Sequence, residues 1–274
     1  MNNAVQACAY CGQADYRVVV RYPEGTAVRC SRCRLVRTLP YPTFDYQDNK
    51  GYAEGYKGRE RLFTSFAFEF MDFVQRYAAG QRFLEIGTGM GFLLAEAARR
   101  GLNVQGLEVN RWEVAALQAR GFDVRQGTLE EAQFPAMSAD VVCMSHVLEH
   151  VWDLRSLLSS VRRVLRPGGV FAVAQPHYAA PLPRLLGHLW YGWQWEQHLW
   201  HFDAYSLSSL LREQKLEPVG IKFTSLYHPW LPSPLSLRPK VLSVQLATAA
   251  LARSEPWLGW GDQIFLAVRR PDVS

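Results

Sequence analysis

The stretch FLEIGTGMGF, Phe83 to Phe92, places glycine at three alternating positions where an apolar segment hands over to a helical one. Glycine inside a regular element costs about 0.5–1 kcal/mol relative to alanine, so its repetition implies a tight turn or a ligand approaching the bare backbone. The flanking pattern restricts the folds that can hold such a turn. RFLEIG reads as a buried strand, and MGFLLAEAARRG as a helix closed by Gly101. NVQGLEV is a strand, RWEVAALQARG a helix closed by Gly121, and DVRQG and ADVVCMS are strands. DLRSLLSSVRRVLRPGG is an amphipathic helix stopped by Pro167 and the glycines, and VFAVAQP is the next strand. Repeated strand–helix–strand units require a mostly parallel sheet with helices on both faces. In such α/β sheets ligands bind outside the carboxyl ends of the strands.

The glycine turn therefore sits where a nucleotide-like cofactor should sit. Glu85, two residues before Gly87, discriminates among candidates. A dinucleotide would bring its pyrophosphate to this turn, where a carboxylate repels it. S-adenosylmethionine has no phosphate and carries an ammonium and a sulfonium, so a nearby carboxylate is favourable. Glu108 ends the second strand, where a carboxylate can accept both ribose hydroxyls. No phosphate-loop signature G-x4-G-K-[ST] is present.

Four of the five cysteines form two pairs, Cys8/Cys11 and Cys30/Cys33. Two C-x2-C knuckles place four thiolates around one tetrahedral zinc, and four protein ligands leave no open position for chemistry. Gly12 follows the first pair, where a knuckle turn calls for positive φ. Two disulfides are the competing pairing. The start MNNAVQACAYCGQ shows no basic residues leading into an apolar run, which favours zinc, a cytoplasmic setting and a structural metal.

FLEIGTGMG, GLEVN, QGTLEE, ADVVCMSHVLEHVWD and VRRVLRPGGVFAVAQP are similar, in order and spacing, to the signature segments of class I S-adenosylmethionine-dependent methyltransferases. The similarity runs over residues 60 to 224, with GDQIFLAVRR as the last strand. The N-terminal CAYCG…CSRCRLVRTLPYP…Y…Y resembles a subgroup of these enzymes from bacterial sugar, glycan and natural-product pathways. The resemblance implies a Rossmann-like, doubly wound, mostly parallel seven-stranded sheet. It places Glu85, Gly87, Gly89 and Gly91 at the methionine end of the cofactor and Glu108 with Val109 at the ribose. Thr128 and Leu129 would flank the adenine, and Ser145 and His146 would close the pocket. Tyr52 and Tyr56 would cap it.

Domain organisation follows: a zinc-ribbon-like segment over 1–40, a Tyr/Pro/Gly-rich linker over 41–58, and the methyltransferase domain over 59–274. RERLFTSFAFEFMDFVQRY, Arg59 to Tyr77, carries Leu62, Phe63, Phe66, Phe70, Phe73 and Val74 at helical spacing, and the stripe reads as core.

The acceptor is written less clearly, because methyl transfer needs alignment and, for some acceptors, a base. No [DNS]-P-P-[YFW] follows the fourth strand, which excludes the usual methylation of base or glutamine nitrogens. Cys143 lies inside an apolar strand and reads as a core thiol. His146, Glu149 and His150 would share one face if HVLEHV were helical, and they could hold a divalent metal, as a similar position does in quinone-biosynthesis O-methyltransferases. An aromatic lid over 176–205 contains His198 and His201, the candidate general bases, beside a run of tryptophans suited to a flat or sugar-like acceptor. The alternative for His201 is a cap on the helix beginning near Ser206. An apolar insertion over 228–260 covers the core or a dimer interface, and a peripheral membrane contact through 236–260 is the other use open to it.

The expected function is methyl transfer from S-adenosylmethionine to an oxygen or carbon of a small molecule or sugar. One rival is an RNA methyltransferase gripping nucleic acid through Arg29, Arg32, Arg34 and Arg37 of the ribbon. The mild net charge of +5 weighs against nucleic acid. A non-catalytic partner protein is the other rival, although it would have no physical need of the glycines and both glutamates.

Overall fold

A computed structural model describes residues 7–23, 25–50, 57–225 and 261–272. The insertion over 228–260, Tyr52 and Tyr56 lie outside the described residues.

Among the described residues there are two sheets. The larger has seven strands in the order β10-β11-β8-β7-β4-β5-β6. These are β4 (Arg82–Ile86), β5 (Asn103–Glu108), β6 (Val124–Gln126), β7 (Ala139–Ser145), β8 (Leu165–Pro176), β10 (Glu217–Thr224) and β11 (Gln263–Arg269). Strands β4 to β8 run parallel, and β11 is antiparallel to both β8 and β10. Both faces are covered at the centre of the sheet, so β7 and the second half of β8 are buried almost without a break rather than alternating. The chain leaves β4 for β5 and β6 on one side, then returns to β7 on the other. The switch point therefore falls between β4 and β7, where a crevice opens at the strand ends.

The helices are α1 (Glu60–Gln75), α2 (Phe92–Arg99), α3 (Arg111–Ala119), α4 (Leu154–Val164), α5 (Pro181–Leu186) and α6 (Ala204–Glu213). Asn110 caps α3 by accepting from the Trp112 and Glu113 amides, and Asp153 caps α4 by accepting from Ser156. Helix α4 stops at Val164, before the expected Pro-Gly-Gly. Leu165 is already extended (φ −73°, ψ 130°), and Arg166 precedes a proline that disfavours helical geometry, so LRPGG begins β8 instead. Phe70 and Phe73 of α1 pack on Phe265 of β11, with ring centroids 4.8 and 5.8 Å apart. Each fully buried ring of this kind contributes about 1.5–3 kcal/mol.

The smaller sheet is antiparallel, in the order β1-β2-β3-β9. Strands β1 (Tyr16–Arg21), β2 (Thr26–Cys30) and β3 (Val36–Leu39) come from the ribbon, and β9 (Trp200–His201) comes from the lid. The Cys30–Cys33 knuckle lies in the turn between β2 and β3. Ala27 and Val36 of the ribbon share a buried cluster with Tyr178, Trp190 and Trp193 of the lid. A ribbon this small buries too little surface for a core of its own, and the lid tryptophans supply one.

Candidate active site

A cavity of about 610 Å³ opens at the carboxyl ends of β4 and β7. Its floor is the glycine loop. The Gly87 amide donates to the Leu107 carbonyl (2.7 Å) and the Gly91 amide to Thr88 (2.8 Å), which folds the loop back over the sheet. Gly87 has φ 74°, and a Cβ built on it would lie 2.4 Å from Val147 Cγ2. Gly91 has a different task. It starts α2 with φ 76°, and a Cβ there would strike Leu117 Cδ2 at 2.4 Å, so this glycine serves helix packing rather than the cavity.

Of the expected cofactor residues, Glu85, Gly87, Gly89, Ser145 and His146 line the cavity. Burial pushes the Glu85 carboxyl well above its usual range, and the charge of Glu108 adds to the effect. Glu108 sits behind the loop, not on the lining. Its Oε2 accepts from the Gly89 amide (2.8 Å) and its Oε1 from the Asn110 amide (2.9 Å). A carboxylate has about four acceptor positions, so one on each oxygen is left for a diol. Val109, Thr128 and Leu129 are also off the lining. Thr128 engages Glu131 (amide to Oε2, 2.8 Å), and Leu129 is buried in the core.

Several lining residues escaped the sequence reading. Phe63 and Phe66, expected in the core, also line the cavity, Phe66 while packing on Phe265 (ring centroids 5.4 Å apart), and with Phe44 and Phe92 they form an aromatic wall beside Tyr191 of the expected aromatic lid. Arg59, at the start of α1, brings a cation to the same space. The expected tryptophan wall is not there. Trp190, Trp193 and Trp200 are buried elsewhere, the first two against the ribbon. Phe44 and Asn49 belong to the linker, which docks on the β5–α3 turn through Asn110 Nδ2 donating to the carbonyls of Tyr46 (2.9 Å) and Asn49 (3.0 Å).

His146, His150 and His198 also line the cavity. HVLEHV is not the α-helix that would put His146, Glu149 and His150 on one face. His146 has φ 56°, and only Leu148–His150 form a single 3₁₀ turn. Glu149, His150 and His198 come together instead, each offering a ligand atom within 4.8 Å of the others. Glu149 is 1% exposed and neither of its oxygens has a hydrogen-bond partner, while His146 Nδ1 stands 3.4 Å from its Oε1. Burial alone would raise this carboxyl. The contact with His146 leads the effects that outweigh burial and hold it at about 2 instead.

The two lid histidines differ. His198 Nδ1 lies 2.9 Å from the Gly192 carbonyl, which can only accept, so Nδ1 carries the proton and Nε2 the lone pair. Burial, then the charge of His150, hold His198 well below its usual pKa, so the ring is neutral. His201 does not line the cavity. Its Nε2 lies 2.9 Å from Thr38 Oγ1, whose one hydrogen goes to the His198 carbonyl (2.8 Å). His201 must therefore donate, and its Nε2 is no base. It does not cap α6 either; Asp203 does, in a reciprocal pair with Ser206.

The ribbon gathers Cys8, Cys11, Cys30 and Cys33 within 4.8 Å, with Sγ pairs at 3.7 Å (Cys8–Cys33) and 3.5 Å (Cys11–Cys30). Four thiolates about 2.3 Å from one tetrahedral zinc would lie roughly 3.8 Å apart, so the donor set fits the ion. The knuckles share one geometry. Gly12 N donates to Cys8 O and Arg34 N to Cys30 O, with Gly12 at φ 74° and Arg34 at φ 63°.

Comparison with known proteins agrees with this geometry. A family profile described as "Methyltransferase domain" matches residues 59–220. A protein of Mycolicibacterium smegmatis named "Probable S-adenosylmethionine-dependent methyltransferase" is 44% identical over 104 residues, 36% of this chain and 39% of its own. A ubiquinone biosynthesis O-methyltransferase of Hahella chejuensis is 36% identical over 107 residues, 36% of this chain and 45% of its own. The chain thus spans less than half the length of these two relatives. A ubiquinone biosynthesis O-methyltransferase of Cereibacter sphaeroides is 30% identical over 193 residues, 64% of this chain and 75% of its own. Among solved structures, a SAM-dependent methyltransferase of Thermotoga maritima superposes with TM-score 0.57 at 20% identity, covering 80% of this chain and 96% of its own, a likeness of fold. With the glycine loop, the sheet order and the matched span in agreement, the chain belongs to the S-adenosylmethionine-dependent methyltransferase domain family.

Proposed function

We propose that the protein transfers a methyl group from S-adenosylmethionine to an oxygen or carbon of a small, flat or sugar-like acceptor, with His198 as general base. The observation that carries this reading is one cavity lined by Glu85, the glycine loop and His198 together. S-adenosylmethionine, when bound, supplies an electrophilic methyl on a sulfonium. Glu85 offers the buried negative charge for its cationic end, Arg59 a cation for its carboxylate, and Glu108 the two remaining acceptor positions for the ribose. The aromatic wall holds the acceptor and excludes water. As the methyl arrives, the acceptor's proton passes to His198 Nε2, and the ionised Glu149 beside it stabilises the imidazolium that forms. The O-methyltransferases among the relatives support an oxygen acceptor. The four thiolates of the ribbon hold a structural zinc.

Two of the four arginines behind the RNA reading are engaged inside the protein: Arg37 is fully buried and Arg29 donates to Tyr178 Oη (2.7 Å), while Arg32 and Arg34 are exposed. A second reading has one observation in its favour: Glu149, His150 and His198 could hold a divalent cation that orients the acceptor. Titration with Mg²⁺ and Mn²⁺, with and without S-adenosylhomocysteine, tests it. The main reading is tested by calorimetry with S-adenosylmethionine, then by S-adenosylhomocysteine release over a panel of catechols, phenols and nucleotide sugars. Absence of cofactor binding would overturn it.

A further inference from the structure

No described ribbon residue lines the cavity, yet the ribbon touches the backbone of His198, which does. Strand β3 pairs with β9 in the register Val36↔His201 and Arg37↔Trp200. Thr38 continues the contact beyond that ladder. Its amide donates to the Leu199 carbonyl (3.1 Å), and its hydroxyl donates to the His198 carbonyl (2.8 Å) while accepting from His201 Nε2 (2.9 Å). Thr38 is 1% exposed, so water does not compete for these bonds. The His198 amide donates to Gln194 O (2.7 Å) and its Nδ1 to Gly192 O, which places the ring from within the lid. Residue 198 is thus held from two directions: by its own lid, and by the ribbon through Thr38.

Thr38 is placed by the cysteine cluster. Strands β2 and β3 pair from Thr26↔Leu39 to Arg29↔Val36, and the loop that closes this hairpin is the Cys30–Cys33 knuckle. A short hairpin is marginal in isolation, and a tetrahedral metal that ties its loop to Cys8 and Cys11 holds both strands in register.

We propose that the four-cysteine ribbon is a positioning element for the acceptor-side base, and that Thr38 is the positioning residue through which it acts. Loss of the Thr38 hydroxyl removes the hold on the His198 carbonyl and the acceptor of His201 together. A base misplaced by about 1 Å lowers turnover on the order of 10²-fold, while the cofactor loop, built from β4 and β5, is untouched. The proposal rests on the reading of His198 as the base.

The test uses the full chain labelled with ¹⁵N-histidine, with long-range ¹H–¹⁵N correlations assigned through His198→Gln and His201→Gln. The wild type at neutral pH should show His198 as the Nδ1–H tautomer and His201 as the Nε2–H tautomer. In Thr38→Val both patterns should move toward tautomer averaging, and Thr38→Ser should restore them. Zinc removal by chelation should reproduce the Thr38→Val spectrum, and zinc addition should reverse it. In parallel, S-adenosylhomocysteine release with an acceptor turned over by the wild type should fall on the order of 10²-fold in kcat for Thr38→Val, with cofactor Kd unchanged. Wild-type histidine patterns in both Thr38→Val and the zinc-free chain overturn the proposal. Should Thr38→Val fail to fold, Thr38→Ser and the zinc titration decide by the same spectra. If His198→Gln keeps normal turnover, the base assignment fails instead, whatever Thr38 does.

Discussion

The proposed cofactor side of the cavity is built mainly from one run, Glu85 to Phe92, steadied by Glu108 and Asn110 of the next strand–helix turn and joined by Arg59 at the start of α1. The His198 end is assembled from four separated pieces: Tyr46 of the linker, the 3₁₀ turn at 148–150, the lid, and Thr38 of the ribbon. Tyr46 Oη lies 2.6 Å from His150 Nδ1, and the His150 and His198 rings meet edge to face at 4.8 Å. A site made by one loop at the end of a buried strand inherits its geometry from the sheet. A site made by four loops depends on every contact between them. The first arrangement suits an invariant cofactor. The second allows the acceptor to change without disturbing it.

That contrast can be broken most sharply at the base. Replacing His198 with alanine should lower turnover about 10²–10⁴-fold, the range for general acid–base assistance, and leave S-adenosylmethionine affinity unchanged. Parallel loss of cofactor affinity, read by calorimetry, would show that the two ends are not independent.

The next largest effect belongs to the opposite end. Glu108→Ala should weaken S-adenosylmethionine binding by about 1.5–3 kcal/mol, since it removes hydrogen bonds to a charged group and frees the Gly89 amide. Gly89→Val should do worse, because Gly89 has φ 49°, where a β-branched residue is strained, and lies on the cavity lining. Normal affinity in both variants would dissolve the assignment of this end.

Smaller, but with a definite sign, is the pH dependence set by Glu85. Its pKa is raised, first by burial and then by Glu108, so it holds a proton at pH values where an ordinary glutamate has lost it. A cationic ligand favours the carboxylate, so binding should release a proton, and affinity should strengthen as pH rises toward the raised pKa. Calorimetry in buffers of different ionisation enthalpy measures the proton count. Glu85→Gln should abolish the release, and proton uptake by the wild type would reverse the argument.

The smallest effect expected is on cofactor binding after zinc removal. Chelation should raise hydrogen exchange over residues 7–39 and in β9, yet leave S-adenosylmethionine affinity nearly intact, because no ribbon residue lines the cofactor loop. A large loss of affinity would mean that the linker carries the ribbon's state to Asn49 and Asn110.

The sequence by itself determined the parallel sheet, the glycine turn, the carboxylates and the four-cysteine cluster. Each is encoded by neighbours: strand and helix periods differ, glycine is needed where φ is positive or backbone approaches closely, and two C-x2-C knuckles carry their own turn geometry. Only the tertiary structure decided which residues share a wall. Helical spacing could not tell Phe63 and Phe66, which line the cavity, from Phe70 and Phe73, which are fully buried, because all four lie on one stripe and only the packing around each turn divides them. Nor could it tell His198 from His201. They sit three residues apart in one lid, and their roles separate through Gly192, whose carbonyl leaves His198 a free lone pair, and through Thr38, 163 residues from His201, whose hydroxyl makes that ring a donor. A hydrogen-bond partner fixes a tautomer by its donor or acceptor chemistry, and partners this distant are brought together only by the packed fold.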